Sequence, residues 1–346
     1  MVDSCKFSGW TGIDGDVGKA GHNEHPGIIR RAMSSALLVA GAANLDRMMY
    51  VERIPKPGET LMALNYEEHP GGKGSNQAVA ASLWGMPVYF HGKIGLDEPG
   101  KILKNALEKG GVNTKYLIQG SSSSGIALDF IDLDGNYQAG VLGGANSDLD
   151  GYYLPKDESF WKLIRLVVIQ LECPISFNES IGLESKKYGI PILLNAAPAI
   201  PIPESWWDWI EILVVNELEA EKLSKKKIDN LNDAIKSMEI LLQRCKNTVI
   251  TLGENGILIA QGSMMKHIPA HSVKIISTLG AGDAFVGVMA AELCIGSSFE
   301  KSAEIANYAA AASVTGSGAQ TSYLSPQKIL EHPVLGETFL KYKNNS

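Results

Sequence analysis

The chain has 346 residues, of which 45% are hydrophobic and 20% charged, a composition that is typical of a globular protein and excludes wholesale disorder. Acidic residues outnumber basic ones by 38 to 31, and the net charge of −7 argues against nucleic acid as the main partner. No apolar run approaches the ~20 residues of a membrane span, and the four scattered cysteines form no C-x-x-C pair, which disfavours a zinc knuckle or a dithiol redox site.

The first 35 residues differ in character from the rest of the chain. They contain several acidic residues, unlike a mitochondrial presequence, and they lack the apolar core of a secretory signal. We therefore predict that residues 1–35 form a disordered extension of a cytoplasmic protein whose thiols stay reduced.

The first folded elements follow directly. The apolar segment Ala36–Ala40 predicts a buried strand that runs into a glycine loop. An alanine-rich helix is expected over Ser75–Leu83, a strand over Val88–Phe90 and a second helix over Gly100–Lys109.

Two pairs of predicted strands lie outside this pattern. Met48–Val51 and Leu61–Tyr66 form one pair, and the segments 126–133 and 137–142 flank Asp134-Gly135-Asn136, a typical hairpin turn. We expect these strands, within 47–70 and 125–143, to form a small β-sheet that stands apart from the main one and acts as a lid.

Strands and helices alternate after residue 150. Strands are predicted at 166–171, 190–194, 212–215, 248–252 and 256–260, and helices at 217–223, 233–244, 283–294 and 299–314. This alternation predicts an α/β fold in which a mostly parallel central sheet is covered by helices on both faces. We expect one domain over 36–330 and a C-terminal tail over 331–346.

The most informative stretch is Ser277-Thr-Leu-Gly-Ala-Gly-Asp283, which ends where an apolar helix is predicted. Glycines at 280 and 282 allow backbone amides to turn toward one point, and a helix N-terminus is a natural anion site. Asp283 could instead be a simple N-cap, but a capping aspartate does not need two glycines before it. The pattern favours a phosphate site.

A second glycine-rich segment, Gly71-Gly72-Lys73-Gly74, precedes a helix and allows the backbone to approach a ligand closely. Lys73 and Asn76 would supply hydrogen-bond donors there. A glycine-rich hinge is the alternative interpretation.

Two further pairs of polar residues follow predicted strands. Asn44 and Asp46 would point to one side of an extended segment and could bind adjacent sugar hydroxyls, although an Asx turn is the alternative. Asn216 and Glu219 would share one face of a first helical turn and could bind Mg²⁺ through water, although an ordinary helix cap is the alternative.

The common nucleotide motifs are missing: the chain has neither G-x-x-x-x-G-K-[ST] nor a G-x-G-x-x-G after its first strand. Instead, the glycine segment at 71–74 with Asn76, the Asn216-x-x-Glu219 pair, and Thr278 with Gly280-Ala-Gly-Asp283 occur in the order found in the ribokinase-like (PfkB) carbohydrate kinase family. Residues 36–330 resemble that family, and most closely its ribose-phosphorylating members.

The resemblance implies ATP-dependent phosphorylation of D-ribose at the 5-hydroxyl, with Mg²⁺. Asp283 would be the base, and Gly280, Ala281 and Gly282 the anion hole. Ribose would contact Asn44, Asp46, Gly72, Lys73, Asn76, Glu172 and Asp283. The nucleotide would contact Asn216, Thr251, Gly253, Gly256, Gly282 and Asn307, with Mg²⁺ near Asn216 and Glu219.

Other activities stay open at this point. A fructokinase-type or adenosine-kinase-type enzyme of the same family is one alternative. A catalytically silent protein that binds a sugar or a nucleotide on the same fold is another, although the intact Asp283 argues against it.

The resemblance also implies a potassium site near Ser277, Leu279, Ser313, Gly316, Gly318 and Ser322. The family usually carries aspartate where this chain has Ser277, so we expect weakened potassium binding. Free lid edges and an apolar lid face would be covered in a homodimer formed through the lids.

Overall fold

The computed structural model of the chain describes residues 35–134 and 136–345. The predicted N-terminal extension lies outside these residues except for Ser35, and so does Gly135 of the predicted hairpin turn. Within the described residues, no helix has the length and apolar character that crossing a membrane requires.

An eight-stranded sheet forms the centre of the molecule, and most of its strands are parallel, as predicted. Its order is β14-β13-β12-β11-β10-β9-β1-β4, and β13 alone runs in the opposite direction to the other seven strands. The strands are β1 (Ala36–Ala40), β4 (Val88–His91), β9 (Ile164–Ile169), β10 (Ile192–Asn195), β11 (Ile210–Asn216), β12 (Asn247–Thr251), β13 (Ile257–Gln261) and β14 (Met264–Ile268).

Helices cover both faces of this sheet, which is why its parallel strands are continuously apolar rather than alternating. Leu37 and Val39 pack on one face with Phe285, while Leu38 packs on the other with Phe177. The helices are α1 (Lys73–Leu83), α2 (Glu98–Lys109), α3 (Glu158–Leu163), α4 (Ile175–Lys187), α5 (Glu217–Ser224), α6 (Leu231–Leu241), α7 (Ala281–Ile295), α8 (Phe299–Ser313), α9 (Pro326–Leu330) and α10 (Gly336–Asn345).

The second sheet has four strands in the order β3-β2-β7-β8, and we call it the lid sheet. Its strands are β2 (Asn44–Tyr50), β3 (Asn65–Gly71), β7 (Gly125–Ile131) and β8 (Tyr137–Leu142). A separate two-stranded sheet, β5 (Lys93–Gly95) with β6 (Ile118–Gly120), was not predicted.

One lid strand is displaced from its predicted position. The prediction of a strand over Leu61–Tyr66 was wrong for residues 61–64, because the pairing of β2 with β3 runs from Asn44↔Gly71 to Tyr50↔Asn65 and ends there. Beyond it, the Leu64 N–H still donates to the Tyr50 carbonyl oxygen over 2.7 Å. Met62 and Leu64 are apolar but exposed, so their hydrophobicity does not mark a buried strand.

The segment 331–346, predicted as a tail, contains helix α10. Phe339 of this helix is fully buried, and its ring lies 6.3 Å from that of Trp84 and 5.1 Å from that of Tyr308. The C-terminal helix is therefore part of the core that covers one face of the central sheet.

Candidate active site

A cavity of about 900 Å³ opens where the carboxyl ends of the parallel strands face the lid sheet. Asn195, Asn216 and Thr251, the last residues of β10, β11 and β12, line its floor. The carboxyl edge of a parallel sheet is where ligands bind in open α/β folds. The lid contributes Met48, Tyr50, Glu67, His69, Asp129 and Ile131 to the cavity wall.

The predicted anion hole is the turn that starts α7. Gly280 has a φ of 76°, and a Cβ there would lie 2.6 Å from the Tyr323 hydroxyl oxygen, so only glycine fits. The Tyr323 hydroxyl donates to the Gly280 carbonyl oxygen over 3.1 Å, which fixes the turn. Ala281 and Gly282 follow as the first residues of a 15-residue helix. The Ala281 N–H donates to the Thr278 carbonyl oxygen over 3.3 Å, and the first turn of a helix leaves its other N–H groups without a partner inside the helix. Gly282 borders the cavity with open space where a side chain would be.

Asp283 lies next to this turn and lines the cavity while being only 7% exposed. Its Oδ2 accepts a hydrogen bond from Asn76 Nδ2 at 3.0 Å, and its Oδ1 accepts one from Gln77 Nε2 at 2.9 Å. Two amides thus hold the carboxylate from one side. This goes beyond the alternative of a simple N-cap, because no side chain caps α7.

Asn76, predicted as a ribose ligand, has both ends of its amide engaged within the protein. Its Nδ2 donates to Asp283, and its Oδ1 accepts from Gln320 Nε2 at 3.0 Å. The structure therefore gives Asn76 a contact with Asp283 that the sequence does not reveal.

Lys73 is a cation among carboxylates. Its backbone N–H donates to Glu172 Oε2 over 2.8 Å, and its side chain lines the cavity. The nearby charge of Asp283, above all, raises the pKa of Lys73, while burial raises the pKa of Glu172. Gly72, just before α1, has a φ of 85° and lies against the Asn44 backbone, where a Cβ would clash.

Asp46 has the most perturbed carboxyl group of this set. Burial, followed by the negative charges of Asp129, Glu172 and Asp283, raises its pKa to about 7. Its neighbour Asn44 is buried, and the Asn44 Oδ1 accepts from Asn146 Nδ2 at 2.9 Å. Four of the predicted ribose ligands lie around Lys73 and Asp283 but do not line the cavity: Asn44, Asp46, Gly72 and Glu172.

Asn216 and Glu219 line the cavity and form a capping box at the start of α5. Glu219 N–H donates to Asn216 Oδ1, and Glu219 Oε2 accepts from the Asn216 backbone N–H, both at 2.9 Å. The cap interpretation is thus correct, and it does not exclude the metal, since each carboxylate oxygen keeps a lone pair.

The donor set also fits Mg²⁺, which prefers oxygen ligands and retains waters. Burial raises the pKa of Glu219, which a cation would oppose. Across the described residues, no group of three or more His, Cys, Asp and Glu side chains could hold a metal ion. A magnesium ion here would therefore take its other ligands from nucleotide and water.

Of the remaining residues predicted to contact the nucleotide, one lines the cavity and three do not. Thr251 lines the cavity, whereas Gly253, Gly256 and Asn307 do not. Gly253 and Gly256 have φ values of 54° and 86° in the turn that follows β12. Asn307 Nδ2 donates to the Pro269 carbonyl oxygen over 2.9 Å, so this amide holds the segment after β14.

The residues predicted near potassium come from two adjoining loops. Ser277 N–H donates to the Val314 carbonyl oxygen over 3.3 Å, which joins the loop before α7 to the loop after α8. Ser277, Leu279 and Gly318 line the cavity. The hydroxyls of Ser313 and Ser322 donate to backbone carbonyls, and Gly316 lies against Ser322.

Several cavity residues were missed at the sequence level. Tyr50, Glu67, His69 and Asp129 belong to the inner face of the lid sheet, where the Tyr50 hydroxyl and His69 Nε2 both contact Glu67 Oε2. The alternation of strand residues could have indicated them, because Asp46, Met48 and Tyr50 share a face. Gln77 and Gln320 do not line the cavity, and their contacts with Asp283 and Asn76 were not predicted.

Known proteins are similar in sequence to most of this chain. Residues 34–326 match the family described as pfkB family carbohydrate kinase. The ribokinase of Haemophilus influenzae is 34% identical over 301 residues, which are 86% of this chain and 98% of that protein. The deoxyribokinase of Salmonella typhi is 33% identical over 304 residues, 87% and 99% of the two chains.

A solved structure agrees with the fold as well. Arabidopsis thaliana ribokinase complexed with ribose and ATP superposes with a TM-score of 0.78 at 29% identity, and the match covers 86% of this chain and 98% of that one. The chain thus belongs to the pfkB family of carbohydrate kinases.

Proposed function

We propose that the protein transfers the γ-phosphoryl group of ATP to the 5-hydroxyl of D-ribose, giving ribose 5-phosphate and ADP. The observation that carries the proposal is the position of Asp283. This buried carboxylate lies beside a helix N-terminus that is preceded by glycine, and it lines a cavity large enough for two ligands. Ribokinases of 32–34% identity from bacteria and mouse support the choice of sugar.

Phosphoryl transfer depends mainly on positioning and charge neutralisation. The amides of residues 280–282 would face the γ-phosphate and the negative charge that develops on its oxygens. Asp283 would accept the proton of the attacking sugar hydroxyl late in a loose transition state. Lys73, whose raised pKa keeps it cationic, would offset the negative charge gathered around the site.

Sugar recognition is assigned to the residues between the lid and α1. Asp46, Asn44 and Glu172 would accept hydrogen bonds from ribose hydroxyls, while Lys73 would donate one. Asn76 would contact the sugar at the same time as it holds Asp283. Closure of the lid sheet over the sugar would exclude water and so limit hydrolysis of ATP.

We assign nucleotide binding to the other half of the cavity. Asn216 and Thr251 line that half, and Gly253, Gly256 and Asn307 lie outside the cavity lining. Mg²⁺ bound with ATP would neutralise phosphate charge, and Asn216 and Glu219 would hold it through water. Their capping box fixes both oxygen donors before the nucleotide arrives.

Potassium is proposed as an activator bound by carbonyl oxygens of the loops at 277–279 and 313–322. Carbonyls can ligate potassium without a charged partner, but Ser277 supplies no carboxylate, so binding should be weaker than with aspartate.

A cytoplasmic location is part of the proposal too. The three cysteines in the described part of the chain, Cys173, Cys245 and Cys294, are free and buried, which suits a reducing compartment.

Deoxyribose is the second candidate sugar, because a deoxyribokinase is 33% identical over nearly its whole length. The deciding experiment measures ADP release on ribose, 2-deoxyribose, fructose and adenosine at equal concentrations. We expect the highest kcat/KM on ribose. A higher value on another compound would replace ribose as the substrate, and no acceptor-dependent ADP release would favour a silent binding protein.

Asp283→Asn provides the matched test of the base. It retains the shape of the side chain and removes its charge, so we expect a turnover loss of about 10²–10⁴-fold in a protein that still folds. Near-normal turnover would contradict the assignment of Asp283 as base.

A further inference from the structure

Gln77 lies behind Asp283, on the side away from the cavity. It is fully buried and does not line the cavity, although its amide touches the proposed base. Gln77 Nε2 donates to Asp283 Oδ1 at 2.9 Å and to Asn195 Oδ1 at 3.0 Å, so both of its N–H bonds have acceptors.

The orientation of this amide is fixed by its two acceptors. If the Gln77 amide were turned over, its oxygen would face the Asp283 carboxylate and Asn195 Oδ1, and both contacts would be repulsive. Gln77 Oε1 accepts from Gln170 Nε2 at 2.7 Å, so Gln170 satisfies the remaining polar atom of this buried side chain.

The acceptor on the other side is also oriented. Asn195 Nδ2 donates to the Val214 carbonyl oxygen over 3.2 Å, which turns Asn195 Oδ1 toward Gln77. All polar atoms of the Gln77 side chain are therefore committed to partners in a region without solvent contact.

A carboxylate held by only one donor could rotate about its Cβ–Cγ bond. Asn76 alone would hold Asp283 Oδ2 and leave Oδ1 free to swing. With Gln77 on Oδ1, the plane of the carboxylate is set before substrate binds. Displacements of about 1 Å at a reacting group can cost on the order of 10²-fold in rate.

We propose that Gln77 is a positioning residue for phosphoryl transfer, which fixes the plane of the Asp283 carboxylate toward the sugar hydroxyl, and that Gln170 supports Gln77 by donating to its buried Oε1. The inference rests on the proposed function, since it assumes that Asp283 is the base. The inference adds Gln77 and Gln170, which would touch neither the sugar nor ATP, to the residues that act in the reaction.

Gln77→Met tests the proposal because methionine has a similar length and no N–H donor. We expect kcat to fall about 10- to 100-fold while the KM for ATP stays within about twofold, since nucleotide contacts lie elsewhere. Gln170→Met keeps Gln77 on Asp283 but removes the donor to Gln77 Oε1, so we expect a smaller loss of kcat in the same direction. It also tests the proposal if Gln77→Met does not fold.

Asn247→Leu is the matched control for the loss of a buried amide. Asn247 is buried at the amino end of β12, and its Nδ2 donates to the Glu211 carbonyl oxygen, far along the strand from the cavity edge. We expect this variant to unfold at a lower temperature than wild type but to keep its kcat. If it lost kcat as much as Gln77→Met, the effect would reflect stability and the proposal would fail.

The double variant Asp283→Asn/Gln77→Met shows through which group Gln77 acts. If Gln77 works through the Asp283 carboxylate, Gln77→Met should reduce kcat less than about threefold in the Asp283→Asn background. A full additional loss there, or a normal kcat in Gln77→Met alone, would overturn the role of Gln77. Near-normal turnover in Asp283→Asn alone would instead contradict the assignment of Asp283 as base, on which this inference rests.

Discussion

Asp46 combines a proposed role in sugar binding with a pKa of about 7, which makes ribose affinity dependent on pH near neutrality. Ionised Asp46 accepts hydrogen bonds from sugar hydroxyls at both oxygens, and the ionised fraction rises about tenfold from pH 6 to pH 8. We expect calorimetric titration to show ribose binding tightening by up to about tenfold over this range. In Asp46→Asn, ribose binding should be weaker by about 1.5–3 kcal/mol and should lose most of that pH dependence, with ATP binding nearly unchanged.

Stability should respond in the opposite sense. The folded protein retains the Asp46 proton between pH 4 and 7, where the unfolded chain releases it, so stability falls as pH rises through that window. Asp46→Asn should therefore raise the unfolding temperature more at pH 8 than at pH 5.

In the calorimetric titrations of Asp46→Asn, an equal loss of ribose and ATP affinity would argue for misfolding rather than for a role of Asp46 in sugar binding.

Ser277 is the residue on which the potassium proposal depends. Ser277→Asp adds a carboxylate beside the loop that leads into the anion hole, so activity should saturate at a lower potassium concentration than in wild type. The measurement is turnover against potassium at constant ionic strength. Identical curves for the two proteins, or no response in either, would contradict a cation site in this loop.

Single residues were predictable where their local sequence was unusual. The glycines before Lys73 and Asp283 stand out because ordinary helices do not start with such runs, and the glycine φ values at 72 and 280 give the physical reason. Gln77 was not predictable, because its partner is 206 residues away and a glutamine in an alanine-rich helix carries no local signal.

Helix α1 and helix α7 cross closely at Gly287, one turn after Asp283. A Cβ at 287 would clash with the Gln77 carbonyl oxygen and lie 2.7 Å from Ala80 Cβ. Gly287→Ala should push the helices apart and cost about 1–3 kcal/mol of unfolding free energy. It should also lower kcat, because Asn76 and Gln77 reach Asp283 from α1.

Gly140→Ala serves as the control for this substitution, since no atom lies near a Cβ there. Urea unfolding and turnover should be measured for both variants. If Gly287→Ala were as stable and as active as Gly140→Ala, close helix contact would not position the site.

Among the elements, the central sheet was predictable because strands buried on both faces read as continuous apolar runs. Strand β3 was misplaced because Met62 and Leu64 are apolar and yet exposed, so hydrophobicity alone did not mark its start. Strands β5 and β6 are three residues long, too short for any periodicity to show.

The outer face of the lid sheet is the surface through which we expect two molecules to associate. Tyr66, Leu128 and Leu142 point away from the cavity and are 47%, 37% and 59% exposed. We propose that a second copy covers this patch, forming a homodimer through the lids. Sedimentation should give twice the mass of the chain, and Leu128→Glu should shift it toward the monomer.

Leu183→Glu is the matched control for the dimer. Leu183 is 58% exposed on α4, away from the lid, so the same change there should leave the mass unchanged. A wild-type protein that sediments as a monomer at micromolar concentration would contradict the proposed assembly.

The order of segments along the chain affects how the protein can be synthesised. Helix α7, which is buried along nearly its whole length, packs against α1 and the central sheet but leaves the ribosome more than 190 residues after α1. Until then, the apolar cluster that Leu37, Val39 and Ala78 share with this helix is incomplete, and exposed apolar surfaces make partly folded chains prone to aggregation. The lid strands are therefore synthesised early, and Asp283, the proposed base, is synthesised late. Phe339, which packs against Trp84, is synthesised later still.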